Sequence, residues 1–269
     1  MSYFYRLKLM KEAVLVKLPF TSLPLLLQTL SRKSRDMEIK NYSSSTSGFI
    51  LLGLSSNPKL QKPLFAIFLI MYLLTAVGNV LIILAIYSDP RLHTPMYFFL
   101  SNLSLLDICF TTSLAPQTLV NLQRPKKTIT YGGCVAQLYI SLALGSTECI
   151  LLADMALDRY IAVCKPLHYV VIMNYWFCLR MAAFSWLIGF GNSVLQSSLT
   201  LNMPRCGHQE VDHFFCEVPA LLKLSCADTK PIEAELFFSV LILLIPVTLI
   251  LISYGFIAQA VLKIRSAEG

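Results

Sequence analysis

Charged side chains are scarce in this sequence, 14% of 269 residues against 56% hydrophobic, which leaves too little polar surface to cover a globule of this size in water. That balance places the chain in lipid. The motifs of common hydrolases and nucleotide enzymes are also missing: there is no His-Glu-x-x-His, no Gly-rich phosphate loop and no Gly-x-Ser-x-Gly. The four histidines fall in connecting segments, none at a convincing spacing from a nucleophile, so an enzyme is not expected. A basic patch interleaved with aromatics is absent too, despite the net charge of +7. Ten of the 22 Lys and Arg precede Pro63 and the rest are scattered between apolar runs, which argues against nucleic acid and suits loops at a membrane surface.

Apolar length is what the sequence has in quantity. Five uninterrupted runs extend from about Leu64 to Tyr87, Met96 to Leu119, Cys134 to Met155, Met181 to Leu201 and Leu236 to Ile257. Each comes near the ~20 residues that carry a helix across ~30 Å of hydrocarbon at ~1.5 Å per residue. Runs of this length without alternating polarity predict helices and exclude a barrel, because in lipid each backbone polar group must be satisfied internally. The fold class expected is an all-α membrane protein. Pro95 suits a helix start, where its missing N–H would be unpaired anyway, and Pro246 should bend the fifth run. Residues 1–36 read as an extra leader upstream of an ordinary start at Met37, residues 37–63 as an extracellular segment, 64–257 as the membrane region and 258–269 as a cytoplasmic tail.

Basic residues stand on both sides of the runs, so charge counting leaves the orientation open. Two features place the N-terminus outside. Asn41-Tyr42-Ser43 is a glycosylation sequon in a polar segment ahead of the first run, whereas Asn102-Leu103-Ser104 has the same pattern inside a run. Of the eight cysteines, Cys109, Cys149 and Cys178 read as small apolar residues and Cys164 falls on the reducing side. Cys134, Cys206, Cys216 and Cys226 remain, an even number in an oxidising compartment, which predicts two disulfides with three pairings open. A rival is zinc, since Cys206, His208, His213 and Cys216 are suitable ligand types.

Asp107 and Glu148 stand midway along different runs, where an isolated charge is costly. Facing each other, they could share a proton or hold Na⁺ or Ca²⁺ between their oxygens; a hydrogen-bonded pair without metal is the alternative, and no other cofactor is expected. Asp154 lies one helical turn before Asp158, so the two acids share a face, and it is tolerable if it meets water or a polar neighbour.

At the end of the third run stands Met155-Ala156-Leu157-Asp158-Arg159-Tyr160-Ile161, a charged triplet suited to the cytoplasmic mouth of a helix. This stretch resembles the third-helix signature of rhodopsin-like G-protein-coupled receptors. Its continuation, Ala162-Val163-Cys164-Lys165-Pro166-Leu167-His168-Tyr169, resembles the odorant-receptor branch, with Leu157 where that branch usually has tyrosine. Gly78-Asn79, Leu92-His93-Thr94-Pro95-Met96-Tyr97-Phe98-Phe99 and Ser253-Tyr254-Gly255-Phe256-Ile257 resemble the same branch. The resemblance covers Met37 to Gly269 and implies a partial seven-helix bundle without the sixth and seventh helices.

Further expectations come from that resemblance. It implies a small volatile odorant as ligand, a stimulatory heterotrimeric G protein as partner, and a plasma-membrane location. It pairs Cys134 with Cys216 and Cys206 with Cys226. It makes Asp158, Arg159, Tyr160 and Tyr254 the G-protein switch and gives Asp107 a sodium site, with Glu148 a feature of the branch. It lines the odorant pocket with Ser141, Leu142, Gly145, Ser146, Phe238, Ser239 and Ile242, although small residues at this spacing equally signal close helix packing. With five helices, signalling is expected to be impaired and the chain retained in the endoplasmic reticulum; the alternative function is a non-signalling fragment that pairs with other receptor chains or is degraded.

Overall fold

The computed structural model describes residues 48–52, 58–124, 127–203, 210–211, 213–224, 240 and 244–259. Four of its helices are long and apolar enough to cross a membrane: α1 (Pro58–Ser88), α2 (Pro95–Gln123), α3 (Tyr131–Cys164) and α4 (Tyr175–Leu201). A shorter apolar helix, α5 (Leu244–Gln259), is the described part of the fifth run. The expected start of that run, from Leu236, lies outside the described residues, as do the leader, Asn41, Cys206, Cys226, Phe238, Ser239 and Ile242.

Local chemistry sets the helix ends. Pro95 opens α2, as expected, at the first helical position, where it sacrifices no ladder bond. Thr130 Oγ1 accepts the Gly133 N–H at 3.1 Å to start α3, and Asn174 Oδ1 accepts the Phe177 N–H at 2.9 Å to start α4. These caps lie beyond the apolar runs, so the helices overrun the expected spans. The third run was expected to end at Met155, but α3 continues through Asp158-Arg159-Tyr160 to Cys164, 34 residues in all. Apolar length measures the hydrocarbon a helix crosses; backbone hydrogen bonding carries the helix on into the polar interface.

The packing runs in sequence, α1 on α2, α2 on α3 and α3 on α4, which leaves α3 in the middle. The close approach of α3 and α4 depends on Gly189, where a Cβ would overlap Thr147 Oγ1 and lie 2.7 Å from the Ala143 carbonyl. Buried Ser185, Ser193, Ser197 and Thr200 continue that small-residue stripe along α4. Ser193 Oγ also donates to the Tyr139 carbonyl across the interface at 2.6 Å.

One end of the bundle carries a three-stranded sheet that no alternation in the sequence predicts. Strand β1 (Gly48–Leu51) lies between β2 (Thr128–Thr130), to which it is antiparallel, and β3 (Glu210–Val211), to which it is parallel. Gly48 is required here, because a Cβ would come within 2.5 Å of the Ile129 carbonyl oxygen. Phe49, Leu51, Ile129 and Val211 turn inward onto Cys134, Leu138 and Cys216, forming an apolar cluster under the sheet. A second cluster, with Phe99, Leu106, Leu151 and Ile161, fills the space among α2, α3 and α4 toward the opposite end.

Candidate functional site

At the sheet end, Cys134 at the start of α3 is disulfide-bonded to Cys216, with a Cα–Cα distance of 5.4 Å. Buried Gln137, one turn along α3, accepts the Cys216 N–H on its Oε1 at 3.0 Å, so the loop is held by a covalent and a polar bond side by side. The bond removes the Cys216 sulfur from the zinc alternative. His213 instead lies 3.5 Å from Glu217 Oε1 and is stacked on Phe214. Burial raises the Glu217 carboxyl above its usual range, an effect that the Lys223 charge partly offsets. Cys109, Cys149, Cys164 and Cys178 are free thiols.

Farther along α3, the four expected ligand residues divide by surroundings. Leu142 packs against the apolar cluster under the sheet, and Ser141 Oγ donates back to the Leu138 carbonyl at 3.0 Å. Ser146 Oγ accepts from Asn192 Nδ2 of α4 at 2.9 Å, which turns it toward the helix interface. Gly145 borders open space, since nothing lies within 4 Å of where a Cβ would stand. Close helix packing is therefore carried by Gly189, a residue the spacing argument overlooked, while Gly145 stays open.

Asp107 on α2 and Glu148 on α3 are both half-buried on neighbouring helices. No group of three or more His, Cys, Asp or Glu suited to a metal occurs among the described residues.

At the opposite end of α3, Asp158 is 1% exposed and accepts the Tyr169 hydroxyl on Oδ1 at 2.9 Å. A 3₁₀ turn (Pro166–His168) and a short helix (Tyr169–Ile172) fold the chain back beneath α3 and bring Tyr169 there. Burial, then the Asp158 charge and the hydrogen bond, push the Tyr169 phenol well above its usual range, so it stays a neutral donor. The Arg159 charge acts on the same phenol in the other direction. The Tyr160 ring lies 5.8 Å from Phe256 of α5, two residues beyond the exposed Tyr254. For Asp154 the structure supplies the polar neighbour: Ser185 Oγ of α4 donates to its Oδ2 at 2.8 Å.

An α3 that is disulfide-tethered at one end, carries an Asp-Arg-Tyr triplet at the other and is flanked by three further membrane-length helices agrees with a family comparison. The profile described as 7 transmembrane receptor (rhodopsin family) matches residues 78–269. The chain belongs to the rhodopsin family of seven-transmembrane receptors. Within this family its relatives are olfactory receptors. Human olfactory receptor 2B3 is 78% identical over 227 residues, 84% of this chain and 72% of its own length. Human olfactory receptor 2G3 is 70% identical over 226 residues, 84% of this chain and 73% of its own. Human olfactory receptor 1L6 is 62% identical over 270 residues, a match that takes in 100% of this chain, residues 1–36 included, and 78% of its own length. This receptor is thus a multi-pass membrane protein of a non-enzymatic family.

Several contacts of the receptor's α3 escaped the sequence reading. Nothing in the spacing pairs Tyr169 with Asp158, 11 residues away, or Ser185 with Asp154, 31 away. The Gln137 bond to Cys216 spans 79 residues and required the fold to be seen.

Proposed function

We propose that this protein is an odorant receptor in which α3 carries both parts of a ligand-driven switch. A small, mostly apolar odorant binds at the sheet end, which faces outward at the plasma membrane, and the triplet end engages a stimulatory heterotrimeric G protein. The observation that carries the reading is the buried Asp158 held by Tyr169 beside Arg159. A charge-assisted bond of this kind contributes about 1.5–3 kcal/mol and fixes one arrangement of the triplet. A ligand that favours a second arrangement shifts the population by its differential affinity for the two. In this reading the Arg159 guanidinium turns to the G protein when the triplet rearranges, and Tyr160 and Tyr254 report the movement of α5 against α3.

The odorant is assigned to the open side of α3 at Gly145, with Ser141 one turn before it, and to Phe238, Ser239 and Ile242 of the fifth run by the family resemblance. Apolar walls with a few hydroxyls suit a ligand carrying one polar group. Asp107 and Glu148 are assigned as a polar pair able to hold Na⁺ or Ca²⁺, for which sensitivity to these ions before and after Asp107→Asn is the test. Cys206–Cys226 is assigned as the second disulfide and Asn41 as the glycosylated residue.

The switch is tested by odorant-evoked cAMP in cells without other odorant receptors. The chain is expressed alone and with the portion of olfactory receptor 2B3 outside the match supplied as a separate chain. The expected result is an odorant-dependent signal that Arg159→Ala removes while surface labelling persists. An odorant signal unchanged by Arg159→Ala would refute the assignment.

A further inference from the structure

The odorant face and the triplet leave a different opening unused. A cleft of about 390 Å³ lies between the end of α2, strand β2 and the start of α3, within the size range of small-molecule sites. Arg124 is the one charged side chain among its described lining residues, and no carboxylate lines it. Of the remaining polar groups, Ser113 donates its hydroxyl to the Phe110 carbonyl and Gln117 its NH₂ to Asn121 Oδ1 and the Thr128 carbonyl, whereas two others still have protons to give. Gln137, 4% exposed, commits its carboxamide oxygen to the Cys216 N–H, which leaves its NH₂ to offer. Thr130 Oγ1 already accepts from the Gly133 N–H, so its hydroxyl proton is the part available to a ligand. Beside these donors the wall turns apolar at Ala136 and Ile140, one helical turn apart on α3.

We infer that this cleft is a second binding site, separate from the odorant face, that takes an amphiphilic carboxylate such as a medium-chain fatty acid. The carboxylate meets the Arg124 guanidinium, which can hold it through two parallel N–H bonds, and the Gln137 and Thr130 donors satisfy its remaining lone pairs. The alkyl chain lies along Ala136 and Ile140. Because Gln137 also holds Cys216, an occupant braces β2, α3 and the disulfide-bonded loop together. The inference does not depend on G-protein coupling, and its test needs no signalling.

The full chain in detergent is photolabelled with a ten-carbon fatty acid carrying a terminal diazirine, and the labelled peptides are mapped. Labelling is expected on the peptides that span the end of α2 and the start of α3, with decanoate competing and decanol failing to compete. Arg124→Ala should reduce labelling about tenfold, the loss expected when a charge-assisted bond is removed. Arg124 is exposed, so this variant should fold; retention of the Cys134–Cys216 bond and of helical content checks that it does. Ala136→Trp, which fills the cleft without touching any charge, should reduce labelling as well. Undiminished labelling in Arg124→Ala, or equal competition by decanol, would overturn the inference.

Discussion

Replacing Cys216 by alanine breaks the bond that ties the connection between α4 and α5 to the start of α3. The two cysteines are separated by 82 positions, and closing a loop of that size in a free chain corresponds to about 4.5 kcal/mol of denatured-state entropy at 25 °C. The free-chain figure is an upper bound, because α3 and α4 stay inserted in lipid when their packing is lost and the segment between the cysteines is already restricted. A loss of about 2–4 kcal/mol is expected. Cys134 and Cys216 are both fully buried beneath Phe49, Leu51 and Val211, so serine would leave a hydroxyl without a partner, costing a further ~1–3 kcal/mol; alanine avoids this. The assay is thermal unfolding of the purified receptor followed by circular dichroism, for Cys134→Ala, Cys216→Ala and the double variant. All three should lose the same stability, because each removes the same bond. Additive losses, or single variants that melt with the wild type, would show that the Cys134–Cys216 bond does not carry this stability.

Two other changes have definite expected outcomes. Gly189→Val should push α4 off α3, costing about 1–3 kcal/mol of stability by overpacking against Ala143 and Thr147, whereas Gly191→Ala, which meets open space, should melt like the wild type. The carboxyl of Glu217 is raised by burial, so the folded loop binds a proton more tightly than the unfolded chain does. Its contribution is then full below the ordinary Glu value of 4.5 and falls as pH rises from there through the raised folded value. Melting temperature against pH should show that decline in the wild type and lose it in Glu217→Gln.

The helices were legible in the sequence because apolar length is a one-dimensional property. Each run is helical over its described residues, and the errors lay at the ends, where Thr130 and Asn174 cap the chain outside the hydrocarbon. Pro95 was readable for the same local reason. The sheet was not, since β1 and β3 are short segments whose pairing depends on residues 80 to 160 positions apart and carries no alternation of its own. The triplet was recognisable by its charges inside an apolar context, yet the partner of Asp158 comes from a fold-back beneath α3 that no periodicity records. The stretch Ser141 to Ser146 shows the same limit: composition grouped these residues, but packing sends Ser146 to Asn192 and leaves Gly145 open.

The measurement that bears most directly on the receptor reading is the odorant concentration–response of Gly145→Phe, read as cAMP in the split-chain cells. A Cβ at Gly145 meets nothing within 4 Å, so phenylalanine should fill the open side of α3 without disturbing the α3–α4 interface. A rightward shift of about tenfold or more, or loss of the response, is expected, equivalent to ~1.4 kcal/mol or more of binding energy, with surface labelling and melting temperature unchanged. The Gly191→Phe control, also open at its Cβ but on α4, should leave the response in place. An unshifted response in Gly145→Phe would contradict the assignment of this face as the odorant wall.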